Sequence, residues 1–148
     1  MKLSIEVKDL NHEDLVNLFS TSLYGNTWPC AYYRKEDYYG TELENANDCI
    51  EDKLAKLLLA GKSILIGDRY SEDKDDINGT LPNHWDEDDE FVAYEVTLED
   101  VKNGLSKAAQ SYWGSDLVNH LAFMPDELDL CEADTLLQTI VFGEPIYG

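Results

Sequence analysis

The chain has 148 residues, of which 31 are Asp or Glu and 11 are Lys or Arg, so its formal net charge is -20. A surface this negative repels phosphate backbones and anionic lipid, which argues against direct binding to nucleic acid or to a membrane surface. With 43% hydrophobic residues and nine Tyr, four Phe and three Trp, the chain has enough apolar material for one ordinary core, and it is expected to fold as a single domain over residues 1–148.

Apolar runs in this chain are short, and the N-terminus lacks the apolar block of a signal peptide. A cytoplasmic location is therefore predicted. The three cysteines, Cys30, Cys49 and Cys131, are odd in number and contain no Cys-x-x-Cys pair, so they favour neither a disulfide framework nor a zinc site. We expect them to be reduced and mostly buried.

The first half of the chain predicts a strand, a helix, an extended stretch and a second helix. Residues 2–7 alternate as a short strand does. Asn11, with Asp14 three residues later, is typical of a helix start, and this helix is expected to bury Leu15, Leu18, Phe19, Ser22 and Leu23 and to stop at Gly25. Residues 28–34 are extended. The second helix is predicted over about 43–60, ending at Gly61, with its buried side formed by Ala46, Cys49, Ile50, Leu54, Leu57 and Leu58.

The second half predicts two neighbouring strands, over 63–68 and 91–96, and three helices. Thr97 and Asp100 resemble a capping pair, and further helices are expected near 115–123 and 129–142, the last stopped by Gly143. The resulting order, roughly βαβαββααα, lacks the repeated βαβ rhythm of a doubly wound sheet. It favours an α+β fold, with a small and mainly antiparallel sheet packed against helices.

Residues 71–90, between the two paired strands, form an acidic inter-strand loop in this prediction. The segment holds nine acids and one lysine, a net charge of -8. An inter-strand segment this long is usually functional or disordered.

Patterns for catalysis, metals and cofactors are weak in this sequence. An EF-hand register that places Gly79 at the sixth loop position puts Lys74 and Trp85 where carboxylates are required. His12, His84 and His120 are not at metal-ligand spacing from one another. The sequence therefore predicts a protein that is not an enzyme and has no metal or cofactor, although an irregular cation site stays an alternative.

Aromatic residues cluster at Trp28, Tyr32, Tyr33, Tyr38 and Tyr39. Trp28 and one tyrosine of each pair are expected in the core. Because tyrosine is enriched at protein interfaces, we expect the remaining tyrosines to flank an acidic contact surface.

Two interpretations of the acidic excess stay open. In the first, the carboxylates only keep the chain soluble. In the second, they imitate the closely spaced charges of nucleic acid and enter a groove lined by Lys and Arg. The second interpretation places the partner contact on two acidic blocks with a tryptophan between them: Glu72, Asp73, Asp75, Asp76, Trp85, Asp86, Glu87, Asp88, Asp89 and Glu90.

Three stretches resemble a family of small, functionally uncharacterised proteins encoded by bacteriophages and integrated mobile elements. Residues 132–148, EADTLLQTIVFGEPIYG, are similar to a family ending in which an Ala-Asp helix leads to Leu-Gln and then to Phe-Gly-Glu-x-Val-Tyr-Gly. Residues 23–28, LYGNTW, resemble its Gly-Gly-Ser-Asn-Tyr-Trp-like turn, and residues 97–104, TLEDVKNG, its Thr-Leu-x-x-x-x-x-Gly helix start. The chain departs from the family at Tyr24, where glycine is frequent, and by its acidic insert.

This resemblance implies a phage or mobile-element origin and carries over no catalytic residue. Small acidic phage proteins often inhibit host defence, and anti-CRISPR and anti-restriction proteins give the analogy. The leading hypothesis is therefore a non-enzymatic inhibitor, acting in the bacterial cytoplasm, that binds a basic nucleic-acid-binding protein such as a CRISPR effector or a restriction nuclease as a nucleic-acid mimic. The alternative is an acidic accessory protein or a homo-oligomer, such as a homodimer, without mimicry.

Overall fold

A computed structural model of the chain describes residues 10–24, 26–69, 92–108 and 130–147. These residues form five helices and a three-stranded antiparallel sheet, which confirms the predicted α+β class. The elements in chain order are α1 (His12–Tyr24), β1 (Pro29–Tyr32), α2 (Lys35–Tyr38), α3 (Ile50–Leu59), β2 (Ile64–Asp68), β3 (Val92–Val96), α4 (Leu98–Ala108) and α5 (Leu130–Phe142). The strand predicted at 2–7, the stop at Gly25, the acidic segment 71–90 and the helix near 115–123 lie outside the described residues.

The sheet has the strand order β1-β2-β3. Ile64 lies opposite Val96 and Asp68 opposite Val92, so the predicted pairing of the strands around 63–68 and 91–96 is confirmed. The central strand β2 is buried along its whole length, and its side chains alternate between the two faces of the sheet. Both faces are therefore covered, which explains the continuous apolar run of this strand.

The main core lies between one face of the sheet and the helices. Among the helices, α1 packs extensively on α3 and α4 on α5. The buried residues of this core include Leu15, Phe19, Leu54, Leu57, Leu58, Leu136 and Leu137. Most of the positions predicted to be buried in α1 and α3 are therefore confirmed, whereas Leu23 and Ile50 are only half-buried. None of the described helices is long and apolar enough to cross a bilayer.

Two helix starts have the predicted reciprocal hydrogen bonds. The Asn11 side chain accepts from the Asp14 amide at 2.9 Å, and the Asp14 carboxylate accepts from the Asn11 amide at 3.0 Å. Before α4, the Thr97 hydroxyl accepts from the Asp100 amide at 3.2 Å, and the Asp100 carboxylate accepts from the Thr97 amide at 2.8 Å. Both pairs satisfy amides that a first helical turn leaves without a partner, so they fix where these helices begin.

Helix α3 begins at Ile50, and the predicted start near residue 43 is wrong. Residues 41–48 form turns and loop instead, held by the Tyr38 hydroxyl, which accepts from the Asn45 amide at 2.9 Å and donates to Asp48 Oδ2 at 2.8 Å. Ala46 and Cys49, which were expected on the buried side, are consequently exposed. The predicted stops are confirmed, because Gly61 and Gly143 have φ values of 83° and 84°, in the left-handed region that ends many helices.

The three stretches that carry the family resemblance meet in the fold. Trp28 packs on Phe142 and Tyr147, with ring centroids 5.1 and 6.1 Å apart, and its indole nitrogen donates to Asp134 Oδ1 at 2.6 Å. Gly104 lies directly against Ile140, between α4 and α5. These three stretches therefore include contacts that hold the domain together.

Candidate functional site

All the contact residues predicted in the acidic segment lie outside the described residues. They are Glu72, Asp73, Asp75, Asp76, Trp85, Asp86, Glu87, Asp88, Asp89 and Glu90. The strands that flank this segment are described. Because Asp68 pairs with Val92, the chain leaves the sheet and returns to it at one end, beside Pro29.

Among the described residues, a cavity of about 400 Å³ lies between the end of α2, the loop after it and α3. We call it the tyrosine pocket. Its walls are Tyr38, Tyr39, Glu44, Asn45, Ala46, Asp48 and Lys53. A second cavity, of about 450 Å³, lies along β1. Arg69 is the one charged residue in its wall. The tyrosine pocket has the richer chemistry because aromatic, acidic and basic groups meet in it.

Lys53 organises the tyrosines around this pocket. Its ammonium donates to the Tyr33 hydroxyl at 3.2 Å and to the Tyr39 hydroxyl at 3.1 Å, and these two hydroxyls are 3.2 Å apart. The same nitrogen lies 5.3 to 5.6 Å from the ring centroids of Tyr33, Tyr38 and Tyr39. Three aromatic rings therefore share one internal cation.

These contacts shift the ionisation of the cluster. Hydrogen bonds from Tyr33 and Lys53 lower the pKa of Tyr39, whereas burial, followed by the hydrogen bond to Tyr39, raises the pKa of Tyr33. Hydrogen bonds to Tyr39 and Tyr33 raise the pKa of Lys53. Lys53 is thus firmly cationic at neutral pH.

Tyr38 and Lys56 hold the loop over residues 41–48 in place through hydrogen bonds. Tyr38 is 1% exposed, and burial raises the pKa of its hydroxyl, which stays a hydrogen-bond donor. Lys56 donates to Asp48 Oδ2 at 2.6 Å and to the Leu43 carbonyl at 3.2 Å. The position of the loop is therefore set by buried and half-buried contacts, and its outward side chains are presented on a fixed backbone.

Acids are frequent in the sequence around the tyrosine pocket, and some of them are exposed and have no ion pair with a described residue. Residues 36–52 contain seven acids and no Lys or Arg. Glu42 and Glu44 are exposed, and among the described residues no Lys, Arg or His nitrogen lies within 4.0 Å of their carboxylates. The next lysines along the chain, Lys53 and Lys56, are held by the tyrosines and by Asp48, so this loop presents negative charge to solvent.

Cys49, at the start of α3, is exposed, whereas Cys30 is buried as expected. The Asp52 carboxylate accepts from the Cys49 thiol at 3.1 Å and contacts His12 Nε2 at 2.9 Å. Hydrogen bonding to Glu51, and then to Asp52, raises the pKa of the Cys49 thiol. The carboxylate stands between thiol and imidazole, so this arrangement keeps the thiol protonated and gives no activated nucleophile.

The expected division of the aromatic residues is correct in part. Trp28 and Tyr38 are buried, and Tyr39 is 45% exposed. Tyr32 and Tyr33 are both half-buried, so neither is fully in the core. Tyr39 does flank acids, but those of the loop over 41–48. Lys53 was missed because its partners are 14 and 20 residues away, and no local pattern marks such a pairing.

The described residues contain no cluster of side chains with metal-ligand geometry. In residues 10–24, 26–69, 92–108 and 130–147, no three His, Cys, Asp or Glu side chains converge in a way that could hold a metal ion.

Comparison of the chain with profiles of protein families, with curated proteins and with solved structures finds no match. The resemblance to the phage and mobile-element family stays a prediction.

Proposed function

We propose that this chain is a non-enzymatic inhibitor from a phage or mobile element that acts in the bacterial cytoplasm. Its partner is a basic nucleic-acid-binding protein, such as a CRISPR effector or a restriction nuclease, whose nucleic-acid groove it occupies as a mimic. The observation that carries the proposal is the distribution of charge: residues 71–90 hold -8 of the total -20.

Carboxylates on a folded chain can replace phosphates as ligands of Lys and Arg side chains. Duplex DNA carries about one charge per 1.7 Å of helix axis, and proteins that bind it gain affinity by releasing counterions. Clustered acids on this chain would interact with the same Lys and Arg side chains. A groove built for nucleic acid is therefore the complementary surface for this charge pattern.

The described residues support the proposal in two ways. The acidic segment is flanked by two directly paired strands, the buried central strand β2 and its neighbour β3. The loop over 41–48 adds exposed carboxylates, Glu42 and Glu44, on a backbone fixed by Tyr38 and Lys56. Preorganised charge costs less to bind than charge on a mobile chain.

Affinity capture from a bacterial lysate, followed by mass spectrometry, identifies the partner. A variant with Asp86, Asp88 and Asp89 changed to Asn and Glu87 to Gln should then bind it more weakly and with a flatter dependence on salt concentration. The matched control removes four exposed charges elsewhere, by changing Glu13, Glu36, Glu99 and Glu144 to Gln.

Unchanged affinity and salt dependence in the first variant, or an equal loss in both variants, would contradict mimicry by residues 71–90. A tight homodimer in sedimentation experiments, together with no basic protein captured, would favour the alternative of an acidic accessory protein.

A further inference from the structure

We propose that the tyrosine pocket binds an arginine side chain of the partner, whose guanidinium stacks on Tyr39 and pairs with the Glu44 carboxylate. This inference rests on the proposed function, because a basic nucleic-acid groove is the surface that supplies the arginine. It is argued from the geometry of the pocket itself.

Tyr39 offers an ordered aromatic surface to a ligand. Its ring packs edge-on against Tyr38, with centroids 5.0 Å apart and an interplanar angle of 87°, and its hydroxyl is held by Lys53 and Tyr33. The side chain is nevertheless 45% exposed. A ring that is already fixed loses little conformational freedom when a cation stacks on it, so the contact is favourable.

The exposed carboxylates of the loop favour a cationic ligand, against two cations that act on Tyr39, Lys53 in the pocket wall and Lys35 at the start of α2. Lys56 pairs with Asp48 at 2.6 Å, which leaves Lys53 as the positive group of the pocket wall and Glu44 as the exposed negative group, with Glu42 beside it in the loop. Lys53 lies among three rings and donates to two hydroxyls, so its contacts are already made. An incoming cation would therefore use the exposed part of Tyr39 and the Glu44 carboxylate.

Arginine fits this site better than lysine does. The planar guanidinium can stack on a ring and donate two parallel hydrogen bonds to a carboxylate, and it is less strongly hydrated than an ammonium. Lys53 would repel either cation, but a lysine ammonium is a point charge that gains neither flat stacking nor a bidentate pair with the carboxylate. The cavity volume of about 400 Å³ leaves room for the arginine stem as well.

In the test, the whole chain is titrated with N-acetyl-arginine amide as the probe, and binding is monitored by two-dimensional NMR. Saturable shifts are expected at the amides of residues 41–48 and of Lys53. Glu44→Gln should weaken binding about two- to fivefold, the range of an exposed ion pair, and Tyr39→Leu should weaken it by a similar factor. Glu36→Gln and Tyr24→Leu are the matched controls, because both residues are exposed and lie outside the pocket walls.

Three results would overturn the inference. They are equal binding of N-acetyl-lysine amide, shifts spread over the whole surface, and equal losses of affinity in Glu44→Gln and Glu36→Gln. If Tyr39→Leu disturbs the loop, Glu44→Gln still decides the question. The result is independent of partner capture: probe binding without a basic partner would contradict the proposed function alone, and a basic partner without probe binding would contradict the arginine site alone.

Discussion

Asp52 stabilises the beginning of α3 through several hydrogen bonds to its carboxylate. It accepts from the Cys49 amide at 3.3 Å and from the Cys49 thiol at 3.1 Å, and it contacts His12 Nε2 at 2.9 Å. Hydrogen bonds from Cys49, and then from His12, lower the pKa of Asp52. The ionised carboxylate is therefore favoured by folding.

Replacing Asp52 by Asn should lower the free energy of unfolding by about 0.3 to 1 kcal/mol at neutral pH, the usual effect of removing a negative charge from the first turn of a helix. Because the pKa is lowered in the folded chain, this stabilisation is complete above the ordinary Asp pKa and disappears as pH falls through the lowered value. Urea unfolding at neutral and at strongly acidic pH measures the difference. Glu99→Gln, an exposed acid in the first turn of α4, is the control, and a loss independent of pH would contradict the role given to the Asp52 charge.

Lys53 stabilises one wall of the candidate site. It joins Tyr33, from the chain just after β1, to Tyr39, from the end of α2, and so fixes the wall on which we place the arginine. Its role depends on contacts between three segments of the chain, which is why the aromatic cluster could be predicted from the sequence and its central cation could not.

At the scale of the elements, α4 and α5 are in close contact at Gly104. A Cβ atom added at Gly104 would lie 2.4 Å from Ile140 Cγ1 and 2.9 Å from the Ile140 Cα. The second of these atoms is backbone, so the helices could accept a side chain at Gly104 only by moving apart. The glycine in the matched stretch 97–104 is thus explained by helix packing.

Gly104→Ala should therefore destabilise the fold by about 1 to 3 kcal/mol, the range of overpacked cores. Helix propensity alone predicts the opposite sign, a gain of about 1 kcal/mol. The midpoint of urea unfolding distinguishes these outcomes. Asn103→Ala, an exposed change in the same helix, should be neutral or slightly stabilising. A Gly104→Ala chain as stable as the parent would show that α4 does not pack this closely.

The helix starts show what could be predicted from the sequence. Those of α1 and α4 were predicted correctly because Asn11 with Asp14 and Thr97 with Asp100 use familiar capping residues. The start of α3 was not, because Cys49 is an unusual cap and the preceding loop keeps apolar residues at helical spacing. The loop itself is set by the Tyr38 hydroxyl, which acts across seven residues.

At the scale of the whole molecule, residues 36–52 and 71–90 together hold sixteen of the 31 Asp and Glu residues. The acidic segment is flanked by Asp68 and Val92, at the end of the sheet where Pro29 begins β1. The tyrosine pocket lies beyond the other end of β1, where Tyr32 pairs with Leu65. The length of β1 separates these ends by about 10 Å. The tyrosine pocket and the strand ends that border residues 71–90 therefore lie at opposite ends of β1.

The most direct test of the central proposal is competition between this chain and nucleic acid for the captured partner. The proposal predicts that the partner's own guide RNA or duplex DNA and this chain exclude each other, so that raising the concentration of one displaces the other in a fluorescence anisotropy titration. A ternary complex, in which the partner binds nucleic acid with unchanged affinity while this chain is bound, would contradict the proposal.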